Sequence, residues 1–153
     1  MIKDNASQMF NGQPLGRILA GIARTFLGLL NSNLSNLDIE RNYYALILID
    51  KAKDGITQQD LACQLGTDKV SVVRIIDYLS ENGYVQRLLN KDDRRKYCLT
   101  LTDKAIKALP QIKKTLVEVT DKALNGLTSE EVEKFYEILS IIKNNLKESN
   151  TSI

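Results

Sequence analysis

The chain contains no histidine and only two cysteines, Cys63 and Cys98, among 153 residues. Without imidazole it lacks the side chain most often used as a general base, and the one that switches charge near neutral pH. The common zinc sites need several thiolates and imidazoles at close spacing, so no metal site is expected, and no other cofactor. Two cysteines far apart in sequence do not make the disulfide framework of a secreted domain, and a reducing cytoplasm is the expected compartment. Long apolar runs are also missing. The longest, Tyr43 to Ile49, is far too short to span a bilayer. Leu15 to Leu30 is apolar-rich, but Arg17 and Arg24 interrupt it on one face, so a soluble amphipathic helix is expected and no membrane partner. Met1 to Asn11 is polar and lacks the apolar region of a signal peptide. Neither charge sign dominates: 21 basic against 19 acidic residues leave a net charge of +2. Any argument for a polyanionic partner must therefore rest on where the cations sit. A glycine-rich phosphate loop and a nucleophile–base set are absent, so the chain does not read as an enzyme.

What is present is helical periodicity, interrupted once. Leu15, Ile18, Leu19, Ile22, Phe26, Leu29 and Leu30 predict a helix over Leu15 to Asn31. A second is expected from about Asp38 to Lys53, stopped by Asp54-Gly55. Thr57 opens a short helix with Asp60 as a weak capping-box partner and Leu61, Ala62 and Leu65 facing inward. Gly66 ends it. Thr67 or Asp68 caps the next, Asp68 to Glu81, whose buried stripe is Val72, Ile75, Ile76 and Leu79. Asn82-Gly83 closes that helix. Tyr84 to Leu89 and Lys96 to Leu101 then read as the arms of a hairpin with Asn90 to Arg95 at its tip. Thr102 is placed to cap a long helix through about Asn125, kinked at Pro110. Thr128 and Glu131 form a T-x-x-E capping box for a last helix, about Ser129 to Lys147, with Val132, Phe135, Ile138, Leu139, Ile142 and Leu146 along one stripe.

Two short helices joined by a tight turn and followed by a basic β-ribbon have the layout of a winged helix-turn-helix. The second helix of such a pair enters the major groove with its N-terminal residues foremost. Here those are Lys69, Val70, Ser71, Val73 and Arg74. Arginine can read guanine bidentately, serine can donate or accept, and valine can meet a thymine methyl. The ribbon tip holds Lys91, Arg94, Arg95 and Lys96 with Asp92 and Asp93 among them. A purely electrostatic patch has no use for the acids. Asp93, two residues before Arg95, can instead aim the guanidinium, as entry into a narrow minor groove requires.

These residues resemble the MarR family of bacterial transcriptional regulators over Ile56 to Leu109. The wing matches the family's D-x-R-x5-L-T signature through Asp93, Arg95, Leu101 and Thr102. Gln59-x-Leu61-Ala62-x3-Gly66, Val72-x-Arg74 and Leu79-x3-Gly83-x-Val85-x-Arg87 follow in the family order. The resemblance implies a mainly α fold with a small β-hairpin wing, and a single domain over residues 1–153. Its winged-helix lobe would cover about 38–101, and its helical dimerisation lobe 15–31 and 102–147. It implies a homodimer on double-stranded DNA, reading a pseudo-palindromic operator. Lys69, Ser71, Val73 and Arg74 would contact DNA from the helix, and Arg94, Arg95 and Lys96 from the wing, with Asp93 orienting Arg95. Val70, Val73 and Leu89 depart from the family's frequent serine, threonine and proline, which bears on base preference.

Many members of that family bind small aromatic or phenolic ligands between the two lobes, and Phe26, Tyr43, Tyr44 and Ile47 are the candidates here. Aromatics at helical spacing are more often plain core. Cys63 and Cys98 have no evident activating neighbour on a helix N-terminus, although Arg95 and Lys96 are close to Cys98 in sequence. The alternative function is a winged-helix module for protein contact, without an operator of its own.

Overall fold

Apolar periodicity and well-placed caps produce the elements α1 (Leu15–Asn33), α2 (Tyr43–Lys51), α3 (Gln58–Leu65), α4 (Lys69–Glu81), β1 (Val85–Leu89), β2 (Tyr97–Leu101), α5 (Asp103–Leu124) and α6 (Ser129–Glu148). The computed structural model describes residues 12–90, 93 and 96–148. Its architecture is mainly α with a two-stranded antiparallel wing, as the sequence pattern predicts. The chain divides into two compact units, one ending at Val119 and the other beginning at Thr120, with α5 running across the boundary.

In the first unit one apolar core joins α1 through the start of α5. Leu30, Leu46, Leu61, Ile76, Leu79 and Ile112 are fully enclosed in it. The expected helix from Asp38 begins later, at Tyr43. Residues 34–42 are instead a succession of turns that push Leu34 and Ile39 into the core. Glu40 sits at φ 47°, a left-handed conformation that a right-handed helix cannot contain. The far end of α2 also comes early, at Lys51, because Ala52 leaves helical geometry and its carbonyl accepts from Gly55 N–H at 2.8 Å.

The helix-turn-helix follows from three local devices. The Thr57 hydroxyl oxygen accepts from Asp60 N–H at 3.1 Å and starts α3. Gly66 ends it in a left-handed conformation, φ 64°, with Thr67 N–H reaching back to Ala62 C=O. Asp68, not Thr67, caps α4 by accepting from Ser71 N–H at 2.8 Å. The stripe Val72, Ile76 and Leu79 is then buried, with Ile75 packed beside it.

The hairpin pairs Val85 with Leu101 at its base and Leu89 with Tyr97 toward its tip. A further pairing was not legible in the sequence. Ile56 bridges Leu99, with N–H to O distances of 3.3 and 2.8 Å, and so roots β2 in the core. Just before it, Gly55 adopts φ 90°, and a β-carbon there would lie 2.8 Å from Cys98 Cβ.

Thr102 caps α5 as expected, accepting from Ala105 N–H at 3.3 Å. Its hydroxyl also donates to Gly83 C=O at 2.6 Å, and its N–H bonds Tyr84 C=O. The helix continues through Pro110 as one element. Lys113 pairs with Asp50 at 2.7 Å, and Gln111 exchanges two amide hydrogen bonds with Asn36, tying α5 to α2 and to the turns before it. In the second unit, the capping box forms reciprocally. Glu131 Oε2 accepts from Thr128 N–H, and Thr128 Oγ1 accepts from Glu131 N–H. The Thr128 N–H, with the Thr128 hydroxyl adding to it, holds the Glu131 carboxyl below its ordinary value. Along the apolar stripe of α6, Phe135 is 40%, Ile138 45% and Leu146 63% exposed, while Val132, Leu139 and Ile142 are half-buried. Among the described residues, no helix is long and apolar enough to cross a membrane.

Candidate nucleic-acid interface

The candidate surface is built by the way α4 begins. Asp68 accepts from both the N–H and the hydroxyl of Ser71, the latter at 2.6 Å. The Ser71 hydroxyl bond is the largest cause of a lowered Asp68 pKa, followed by the backbone bond. The cap therefore carries a carboxylate at neutral pH, which suits the positive end of the helix. It also commits the Ser71 hydroxyl proton. What Ser71 offers outward is an oxygen acceptor, and the donors on this face are Lys69 and Arg74.

Lys69 and Arg74 are exposed, and Val70 is 63% exposed. Ser71 and Val73 are half-buried. Lys69 with Val73, and Val70 with Arg74, are pairs four apart, so the four share one broad face. The acid nearest to Arg74 along its helix is occupied elsewhere. Asp77 Oδ1 accepts from Arg87 Nη2 of β1 at 2.5 Å. Among the described residues no carboxylate pairs with Arg74, so its guanidinium is free to meet an outside acceptor.

The Arg87–Asp77 pair is a contact between elements that the spacing of either element alone does not reveal. It links the first wing strand to α4. A signal for it exists, since opposite charges flank the Asn82-Gly83 turn, and a turn there folds the two sides together.

At the wing tip, Lys96 is exposed and its ammonium lies 3.9 Å from Asp93 Oδ2. Lys96 N–H donates to Asp93 C=O at 2.9 Å, and Asn90 N–H donates to Lys96 C=O at 2.8 Å. Arg94 and Arg95, with Lys91 and Asp92, lie outside the described residues. Asp93 and Lys96 are thus brought together, and the aiming of Arg95 by Asp93 remains an expectation. Between the start of α3 and the start of β2 runs an open polar groove of about 410 Å³. It is lined by Thr57, Gln59, Asp60, Lys96 and Tyr97. Asp60 accepts the Thr57 hydroxyl proton at 2.6 Å within it. The Gln59 amide, the Lys96 ammonium and the Tyr97 hydroxyl are its donors, and Gln59 and Tyr97 were not among the sequence-derived contacts.

The four candidates for a small-molecule site differ in exposure. Ile47 is 7% exposed and belongs to the core, while Phe26 and Tyr43 pack against that core. Tyr44 is 44% exposed, with its ring centroid 6.5 Å from that of Tyr43. Burial, with Tyr44 adding to it, raises the Tyr43 phenol above its ordinary value. A separate cleft of about 470 Å³ is lined by Asn31, Leu34, Leu37, Asp38, Arg41 and Tyr78 among others, and by none of the four candidates. Of the two thiols, Cys63 is exposed and Cys98 buried, and they are not paired.

Comparison with known proteins agrees with this geometry. Residues 41–97, from the approach to α2 to the start of β2, match the MarR family model. The apo crystal structure of wild-type MarR from E. coli is 28% identical over 84% of this chain and 96% of that one, with a TM-score of 0.66. CouR from Rhodococcus jostii RHA1, solved bound to p-coumaroyl-CoA, is 25% identical over 84% of this chain and 90% of its own, with a TM-score of 0.75. A MarR family transcriptional regulator from Listeria monocytogenes, solved with a 26mer DNA, covers 90% of this chain and 91% of its own. At 24% identity and a TM-score of 0.77, it shares the fold.

Proposed function

We infer that the chain belongs to the MarR family of DNA-binding transcriptional regulators and works as a homodimer seated on a pseudo-palindromic operator. The observation that carries the reading is the face of α4. An Asp68-capped N-terminus presents exposed Lys69, Val70 and Arg74, while Arg87 pairs with Asp77, the acid nearest to Arg74 along α4. In the proposed complex, α4 lies in the major groove and Arg74 reads a base edge. Lys69 and the Ser71 oxygen contribute beside it, and Val73 supplies apolar contact. The wing follows the minor groove through Arg94, Arg95 and Lys96, with Asp93 orienting Arg95. Gln59 and Tyr97 hold the backbone in the groove between α3 and β2.

We assign residues 38–101 to the reading lobe and 15–31 with 102–147 to the dimer lobe. Support for dimerisation is the apolar surface left open on each unit. Leu15 and Ile22 are 52% and 62% exposed on α1, and Ile141 and Leu146 are 58% and 63% exposed on α6. Exposed stripes of that kind mark an interface with another chain. Two unpaired thiols fit a cytoplasmic setting. We further propose regulation by a small aromatic or phenolic ligand reached through the half-open Tyr44, with Phe26, Tyr43 and Ile47 behind it.

The test is a selection from a random duplex library with the purified protein, repeated with phenolic compounds added. An enriched palindrome with half-sites about one helical turn apart is expected. Failure to enrich any sequence would sink the reading. It would favour the second one, a protein-contact module, for which the exposed Val70, Leu88, Leu89 and Tyr97 speak.

A further inference from the structure

The end of α4 and the beginning of α5 are joined by contacts that no local cap requires, and we infer that Lys104 is a positioning residue for the DNA-reading helix. Lys104 Nζ donates to Asn82 C=O at 2.8 Å, across 22 positions of sequence. The same ammonium stands 4.3 Å from the centroid of the Tyr84 ring. Asn82 is the C-cap of α4, where unpaired carbonyls carry the negative end of the helix. Its own side-chain amide donates to Tyr78 C=O at 2.9 Å, so the cap is fixed to the last turn of α4. Tyr84 is 2% exposed and its N–H bonds Leu79 C=O at 2.8 Å, so the ring is fixed too. Gly83, between them, has φ 76°, and a β-carbon there would meet the Lys104 stem at 3.8 Å. Two residues before Lys104, at the N-cap of α5, Thr102 donates to Gly83 C=O at 2.6 Å.

The first turn of α5 therefore grips the last turn of α4 and the turn after it at three consecutive residues. A helix end held by an ammonium over an aromatic face, with a hydrogen bond to its terminal carbonyl, has little freedom to tilt. The pose of α4 is tied in this way to the direction in which α5 leaves the reading lobe. The Lys104 charge is spent on this contact and does not reach DNA.

The inference rests on the DNA-binding reading, so the experiment separates the two. The operator recovered with the wild-type protein is titrated with wild type, Lys104→Met and Lys104→Arg over roughly 50–200 mM salt. If the wild type recovers no operator, the DNA-binding reading fails. A parallel measurement without DNA follows the Gly83 and Tyr84 amides by hydrogen exchange. Lys104→Met should weaken binding about three- to tenfold with an unchanged salt slope, and should speed exchange at both amides. Lys104→Arg should restore both. A salt slope reduced by about one would mean a direct phosphate contact and overturn the inference. Unchanged affinity or unchanged exchange in Lys104→Met, or no rescue by arginine, would overturn it as well.

Discussion

Replacing Gly55 by alanine should loosen the root of the wing, and its cost can be worked from three quantities. Gly55 holds φ 90°, and an alanine kept there stores about 1–3 kcal/mol of backbone strain. The new β-carbon would stand 2.8 Å from Cys98 Cβ. That atom is the base of its side chain and cannot swing away without moving β2, so overpacking adds about 1–3 kcal/mol. Alanine also restricts the unfolded chain, which returns about 0.4–1 kcal/mol. The net loss is about 3 kcal/mol, a large part of the roughly 5–15 kcal/mol that holds a domain of this kind together. Urea titration followed by far-ultraviolet circular dichroism measures it. Two controls divide the terms. Gly55→Asn tolerates positive φ better but keeps the clash, so it should recover only the strain portion. Cys98→Gly in the Gly55→Ala background removes the colliding atom, so the two changes should couple favourably. A Gly55→Ala loss under about 1 kcal/mol, or additive behaviour with Cys98→Gly, would refute the account of this contact.

Other outcomes can be checked in the same preparation. Arg74→Ala should weaken operator binding by about 1–3 kcal/mol in fluorescence anisotropy, with an unchanged melting temperature, because its side chain has no ion pair to lose among the described residues. Arg95→Ala should weaken it by a similar amount, and retention of full affinity by both variants would remove the assigned reading surface. Asp77→Asn should change stability by less than about 1 kcal/mol, since the Arg87–Asp77 pair is 36% and 49% exposed. Tyr43 ionises above the ordinary phenol value near 10, so the neutral form is the one the fold favours. Its contribution is present below pH 10 and is lost as pH rises through the folded value. Tyr43→Phe should therefore lose less stability than wild type on raising the pH above 10, and equal losses would contradict this. A thiol reagent should label Cys63 and spare Cys98 in the native protein, with operator binding unchanged; loss of binding on labelling would instead point to redox control.

The parts of this protein that read clearly from sequence are those where a local rule and the core agree. Val72, Ile76 and Leu79 repeat at helical spacing behind an Asp cap, and α4 forms as that pattern demands. Thr128 and Glu131 specify their own reciprocal bonds whatever surrounds them. The stretch 38–42 did not read correctly, because a helix was expected from Asp38 and α2 starts only at Tyr43. Glu40 breaks that expected helix through a backbone conformation no pattern announces. Ile56 was invisible as a strand because a single bridge has no alternation to detect. Ser71 was read as a candidate contact, but the use of its proton in the Asp68 cap, which turns a donor into an acceptor, was not legible. Contacts between elements, such as Arg87 with Asp77 and Lys104 with Asn82, need the fold before they exist.

The hairpin has a consequence for how the protein behaves when crowded. Ile56 covers one side of β2, while among the described residues β1 has β2 alone as a strand neighbour. Its outer rim is an unpaired edge that carries exposed Leu88 and Leu89, the kind of rim on which a foreign strand can grow. Arg87 sits within that strand and brings a charge into it. The residue that ties the wing strand to α4 thereby also places a charge on that edge, and exchanging it for leucine should raise self-association at high concentration.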